Sequence, residues 1–200
     1  MVVAVTGGIC TGKTVVAQEL ARSLGTEFIS LDGLSHKAIE RGSKGYWKVV
    51  KAFGREILGS DGEIDRRALA SLIFEDPKKR EMLEGIVHPL VEAELRKTLE
   101  ELGGKAVVEA PLLIEKGMHE EVDFTVLVYC SKEVQLRRLM ERDRLQVEEA
   151  ERRIKAQLPL QLKVAFADYL VNNDDGLHYT REQVLRIARD ILKKSPGGSP

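Results

Sequence analysis

Eight consecutive residues near the start of the chain, Gly7-Gly8-Ile9-Cys10-Thr11-Gly12-Lys13-Thr14, satisfy G-x-x-x-x-G-K-[ST]. Few backbones accommodate that pattern other than a tight loop leading from a strand into a helix. The flanks agree: Val2 to Thr6 is apolar and β-branched, and Lys13 to Leu24 carries helical periodicity. Glycines let the loop take positive φ and lie close against a ligand, so that successive N–H groups converge on an anion at the helix N-terminus. In such a loop Lys13 bridges the β- and γ-phosphates of a nucleotide, and the Thr14 hydroxyl holds Mg²⁺. Nucleotide triphosphate binding is therefore the expectation on which the other readings build.

Four further runs read as strands: Glu27 to Leu31, Lys105 to Glu109, Phe124 to Tyr129 and Tyr169 to Asn172. Several are apolar on both faces, as strands of a covered parallel sheet must be. Helical patterns lie between them, at Lys132 to Arg142 behind Ser131 and at Arg181 to Lys194 behind Thr180. The alternation predicts an α/β fold of the P-loop NTPase type, a parallel five-stranded sheet flanked by helices. It breaks from Gly33 to Leu102, where helical segments follow one another, with Asp65 capping Arg66 to Glu75 and with Pro77 and Pro89 as helix starts. The expected organisation is a core of residues 1–32 and 103–194, a helical acceptor-binding insertion at 33–102, a helical lid at about 137–163 and a disordered tail at 195–200.

Composition narrows the function. The 200 residues are 43% hydrophobic and 32% charged, enough apolar character for one sizeable core, and the net charge of −1 calls for no nucleic-acid partner. No apolar run approaches the roughly 20 residues of a membrane span, and the chain opens without the basic segment of an export signal, so a cytoplasmic place is expected. Two distant cysteines and four scattered histidines make neither a disulfide framework nor a zinc pattern.

A GTPase switch would need D-x-x-G and N-K-x-D, which are absent, and a nucleic-acid motor would need an acidic pair where Lys105 to Glu109 ends in a lone Glu. A small phosphotransferase remains, with another small-metabolite or nucleoside-monophosphate acceptor and a P-loop switch as the alternatives. It needs a carboxylate for the acceptor hydroxyl. Asp32, just past the second strand, is either that base or the N-cap of the helix holding Leu34 to Ile39. It also needs cations around the triphosphate. Residues Arg137 to Lys163 carry eight basic against five acidic side chains, among them Arg138, Arg142, Arg144, Arg152 and Arg153. Cys10, near a helix N-terminus and beside Lys13, is either an acidified, reactive thiol or simply a small loop residue.

With these parts assembled, the chain resembles the dephospho-coenzyme A kinase family over nearly its whole length. The carrying motifs are Thr6-Gly7-Gly8-Ile9, Gly12-Lys13, Asp32, His88-Pro89, Pro111 to Glu115, Arg142-Asp143, Arg153-Ile154 with Gln157, and Ala167-Asp168 followed by Asn173. The resemblance implies transfer of the γ-phosphate of ATP to the ribose 3′-hydroxyl of dephospho-CoA, with ATP and Mg²⁺ required. It implies catalytic parts for Asp32, Lys13 and Arg142, and nucleotide binding by Gly8, Ile9, Cys10, Thr11, Gly12, Lys13, Thr14, Val15, Arg153 and Asn173, the last near the adenine. Thr14 holds the metal in this reading, while Asp32, His36, His88 and Leu112 meet the acceptor. His88 is equally explained as a helix-start residue, and Pro111 to Glu115 as packing. Three positions depart from the family pattern: Cys10 replaces a glycine, Val15 a threonine and Ser30 the first of two aspartates.

Overall fold

Five parallel strands form one sheet in the order β2-β3-β1-β4-β5: β1 (Val2–Gly7), β2 (Glu27–Ser30), β3 (Ala106–Glu109), β4 (Phe124–Tyr129) and β5 (Tyr169–Asn172). The computed structural model describes residues 1–195. From β1 the chain runs outward to β2, returns through β3 beside β1, and crosses to β4 and β5 on the far side. The strands are parallel, so all their carboxyl ends share one edge, and at such a reversal of direction the loops part to leave a crevice for a ligand. Pairing of Val5 with Glu109 and of Gly7 with Val128 sets the register there.

The sheet is buried because its residues leave it no polar face: Val3, Ala4, Val5, Val107, Val126, Leu127 and Val128 are all inaccessible to solvent. On one side it is covered by α1 (Lys13–Leu24) and α9 (Leu177–Lys194), which bring Val16, Ala17, Leu20, Val184, Ile187 and Ile191 to the core. Gly12 and Gly25, both at positive φ, begin and end α1.

The chain divides into two compact units, Met1–Ser30 with the chain from Leu102 onward, and Leu31–Glu101. The second is helical throughout. It contains α2 (Leu31–Ala38), α3 (Lys44–Phe53), α4 (Arg66–Glu75) and α5 (Pro77–Glu101), and has its own core of Tyr46, Val49, Phe53, Ile57, Ile64 and Leu69. Ser43 caps α3 by accepting from Tyr46 N, and Asp65 caps α4 by accepting from Arg67 N and Ala68 N. In the first unit α6 (Lys132–Asp143) is capped by Ser131, which accepts from Val134 N, and α7 (Val147–Lys155) and α8 (Leu160–Val164) follow with Pro159 between them.

Several expectations need correction. Pro89 does not start a helix but lies inside α5. A proline there forfeits one backbone bond and crowds the carbonyl four residues back. That residue is Gly85, with nothing outside the helix near it, and burial of Val87 and Val91 holds the helix through the lost bond. Thr180 does not cap α9, which begins at Leu177; it lies within the first turn, and its hydroxyl donates to Asn173 Oδ1 at 2.7 Å. Asp32 is the second residue of α2 rather than a cap ahead of it, because Leu31 already turns helical. Of the tail, all but Ser195 lies outside the described residues. No helix among the described residues is long and apolar enough to cross a membrane.

Candidate active site

The phosphate loop joins β1 to α1 through backbone that side chains tolerate poorly. Gly7 has φ 152°, Cys10 58° and Gly12 92°. A Cβ on Gly7 would lie 2.2 Å from the Val128 carbonyl oxygen, and one on Gly12 would lie 2.1 Å from Asn173 Nδ2. Both approaches are closer than any side chain permits, so glycine is required at each. Within the loop, Lys13 Nζ donates to the Gly8 carbonyl at 2.9 Å and Thr11 Oγ1 donates to the same oxygen at 2.9 Å.

Four distant elements hold the loop. Asn173, just past β5, donates through Nδ2 to Thr11 O at 2.8 Å and accepts through Oδ1 from Thr180 Oγ1 at 2.7 Å. Asn173 and Thr180 are both buried. Gln157, just beyond α7, accepts from Ile9 N at 2.7 Å, while Gln135 on α6 donates to Ile9 O at 2.7 Å. Glu109, buried at the end of β3, accepts from the Thr14 hydroxyl at 2.7 Å. A serine or threonine beside a carboxylate at the end of a neighbouring strand is an all-oxygen arrangement of the kind that suits a hard divalent cation. Val15 is exposed on the first turn of α1. The sequence reading sets Glu109 aside as lacking an acidic neighbour; the available signal was a carboxylate closing an otherwise apolar strand.

The basic segment meets the loop at Cys10. Burial pushes the Cys10 thiol up, outweighing the opposing pull of Arg142, Lys13 and Arg138. The direction favours Cys10 as a small loop residue over an acidified thiol: desolvation of a thiolate outweighs the nearby cations. Arg142 donates through Nε and Nη2 to both oxygens of Asp143, at 2.7 and 3.0 Å. Arg153 reaches Asp143 Oδ2 from α7 at 3.2 Å and Glu149 at 3.2 Å. Hydrogen bonding from Arg142 holds the Asp143 carboxyl below its usual range. Two of the cations expected at the triphosphate thus share one carboxylate. Arg138 donates to Asn173 O at 2.9 Å, and Arg152 pairs with Glu149.

Leu112 is exposed in the turn after β3. Glu115, at the end of the same motif, pairs at 2.6 Å with Lys163, whose side chain is buried on α8. Sequence reasoning counts Lys163 only as one charge among many; a lysine in a five-residue helix gives no sign of being interior.

In the helical unit Asp32 and His36 are exposed and lie four residues apart on α2, hence on one face. Arg66 Nη1 stands 3.1 Å from His36 Nδ1. His88 is half-buried within α5, so it is no helix-start residue.

Comparison with known proteins was consistent with this geometry. The family model for dephospho-CoA kinase matches residues 1–178. A dephospho-CoA kinase from Syntrophotalea carbinolica is 37% identical over 204 residues, covering 100% of this chain and 96% of the relative. Among solved structures, a Thermus thermophilus protein is 34% identical with a TM-score of 0.83 and 98% of both chains covered. Dephospho-CoA kinase from Campylobacter jejuni is 30% identical with a TM-score of 0.70, over 96% of this chain and 97% of that one. On a match of this extent, the chain is an ATP-dependent P-loop kinase and belongs to the dephospho-CoA kinase family.

Proposed function

We propose that this chain transfers the γ-phosphate of ATP to the ribose 3′-hydroxyl of dephospho-CoA, giving CoA and ADP, in the cytoplasm. The observation that carries the reading is a loop already furnished for a triphosphate, with Lys13 and Thr14 in place on it, in a chain the family matches over residues 1–178. The amides of Gly8 to Val15 cradle the phosphates, and Lys13 exchanges the Gly8 carbonyl for β- and γ-phosphate oxygens. Thr14, with Glu109 behind it, would hold Mg²⁺, which supplies charge neutralisation on the phosphates when bound. Asn173 supports the loop from beneath through Thr11.

Arg142 and Arg153 exchange Asp143 for phosphate oxygens and stabilise the charge that spreads over the transferring group. Asp32 accepts the proton of the acceptor hydroxyl as the new O–P bond forms and the bond to the bridging oxygen breaks, the electron pair leaving with ADP. The helical unit supplies acceptor contacts through Asp32, His36 and His88. A coupled ADP-release assay across acceptors tests the assignment. Dephospho-CoA is expected to drive release and to gain the mass of one phosphoryl group. If only a different metabolite or nucleotide does so, the assignment is wrong. Asp32→Asn is expected to lower kcat by about 10²- to 10⁴-fold.

A further inference from the structure

The helical unit contains a cavity of about 430 Å³ bordered by His36, Glu40, Arg41, Glu63 and Arg66, with Ile39 and Ile64 as its apolar lining. The cations there are not equivalent. Arg41 is tied down: its Nη1 donates to Asp61 O at 2.8 Å and its backbone N to Glu63 at 3.4 Å. Arg66 is different. Among the described residues no carboxylate lies within ion-pair distance of it, and its hydrogen-bond neighbour is the imidazole of His36. The neighbouring Asp65 is occupied, its Oδ1 accepting from two amides at the start of α4.

A guanidinium has donors and no acceptor, so His36 Nδ1 accepts from Arg66 and the ring proton belongs on Nε2. The pair therefore presents N–H donors only: the remaining guanidinium hydrogens and the Nε2–H. The cavity's two arginines are matched by Glu40 and Glu63, but Arg66 itself is bonded to no carboxylate among the described residues, so its donors are open to an anion, and a guanidinium fork suits phosphate above others.

Spacing identifies which phosphate. His36 is one helical turn from Asp32 on the same face of α2, with about 5–6 Å between such Cβ atoms. A ribose 3′-hydroxyl and the phosphate on the 5′-carbon of the same sugar are separated by a comparable span. With the hydroxyl at Asp32, the 5′-phosphate falls at the His36–Arg66 pair.

We propose that His36 and Arg66 clasp the 5′-phosphate of the acceptor nucleotide, and that this clasp selects a 5′-phosphorylated nucleotide over a nucleoside. The proposal rests on the reading of the chain as a dephospho-CoA kinase and adds to it an anion subsite and a specificity residue, Arg66.

The test measures ADP release at saturating ATP with dephospho-CoA varied, for the wild type, Arg66→Met, Arg66→Lys and His36→Leu. Arg66→Met is expected to raise the KM for dephospho-CoA at least tenfold while the KM for ATP and the melting temperature stay unchanged, and Arg66→Lys to recover part of the loss. Arg66 opens α4 at the surface, so the substitution removes no core contact; His36→Leu, on a different helix, provides the same readout independently. The proposal is overturned if both variants keep the KM for dephospho-CoA within twofold of wild type, or if kcat falls with that KM unmoved. Failure of the underlying functional reading would look different, because the wild type itself would then release no ADP with dephospho-CoA.

Discussion

Cys10 shows how much one backbone angle asks of a residue. At φ 58° it occupies the left-handed region without being glycine. Side chains there cost roughly 1–2 kcal/mol, so the loop stores strain beside its phosphate site. Desolvation raises the thiol pKa, and raising it means less thiolate at any given pH. Alkylation of Cys10 by iodoacetamide at pH 8 should accordingly run several-fold slower than that of a small free thiol. Its rate should rise with an inflection above the ordinary value of about 8.5. Mass spectrometry of the Cys10 peptide across pH checks this, and an inflection at or below the ordinary value would contradict it. The sequence made Cys10 conspicuous but not its protonation: spacing to Lys13 is visible in a sequence, while the desolvation that decides the outcome is contributed by a three-dimensional neighbourhood.

The elements were legible to the extent that their causes are local. Ser131 and Asp65 cap α6 and α4 as their sequence positions require, because a cap and the amides it accepts from are only two or three residues apart. Thr180 was misread on the same logic: it has the chemistry of a cap, but its hydroxyl is committed to Asn173, and that partner comes from packing of α9 against the loop. Asn173 and Thr11 are 162 positions apart, and Gln157 and Ile9 are 148 apart. No periodicity or spacing rule reaches over such separations, so the hydrogen bonds by which Asn173 and Gln157 hold the phosphate loop were not legible, although the family resemblance singled out both residues. The chain from α9 through Asn173 to the loop makes a specific demand. Thr180→Val keeps the shape but leaves the buried Asn173 Oδ1 without its donor, at a cost of about 1–2 kcal/mol. For a chain of this length that corresponds to a fall in Tm of about 2–8 °C. The KM for ATP should rise as well, since Thr11 O is held by the same amide. An unchanged Tm in thermal denaturation would mean that the hydroxyl finds its equal in water.

At the scale of the molecule, the break in strand–helix alternation after the second strand is the same break that separates the two compact units, Leu31–Glu101 from the remainder. Each has its own buried apolar cluster, one built on Val3, Val5, Leu20 and Ile191 and the other on Tyr46, Val49, Phe53 and Ile57. Stability is cooperative within a packed core and falls off where contacts thin, so a defect placed in one core should be felt mainly by the unit that owns it. Ile57 offers the cleanest defect: it is fully buried, apolar, and surrounded by the helical cluster alone. Ile57→Ala removes three carbons' worth of packing and should cost about 2–5 kcal/mol. Hydrogen exchange followed by mass spectrometry is expected to show faster exchange through α3, α4 and α5, with β1, β3 and β4 retaining wild-type protection. Nucleotide should then slow exchange in the loop unit of the variant as it does in the wild type, because a ligand stabilises the structure that binds it. An increase spread evenly over both units would mean that the two cores unfold as one, and that the helical unit contributes to the stability of the phosphate loop.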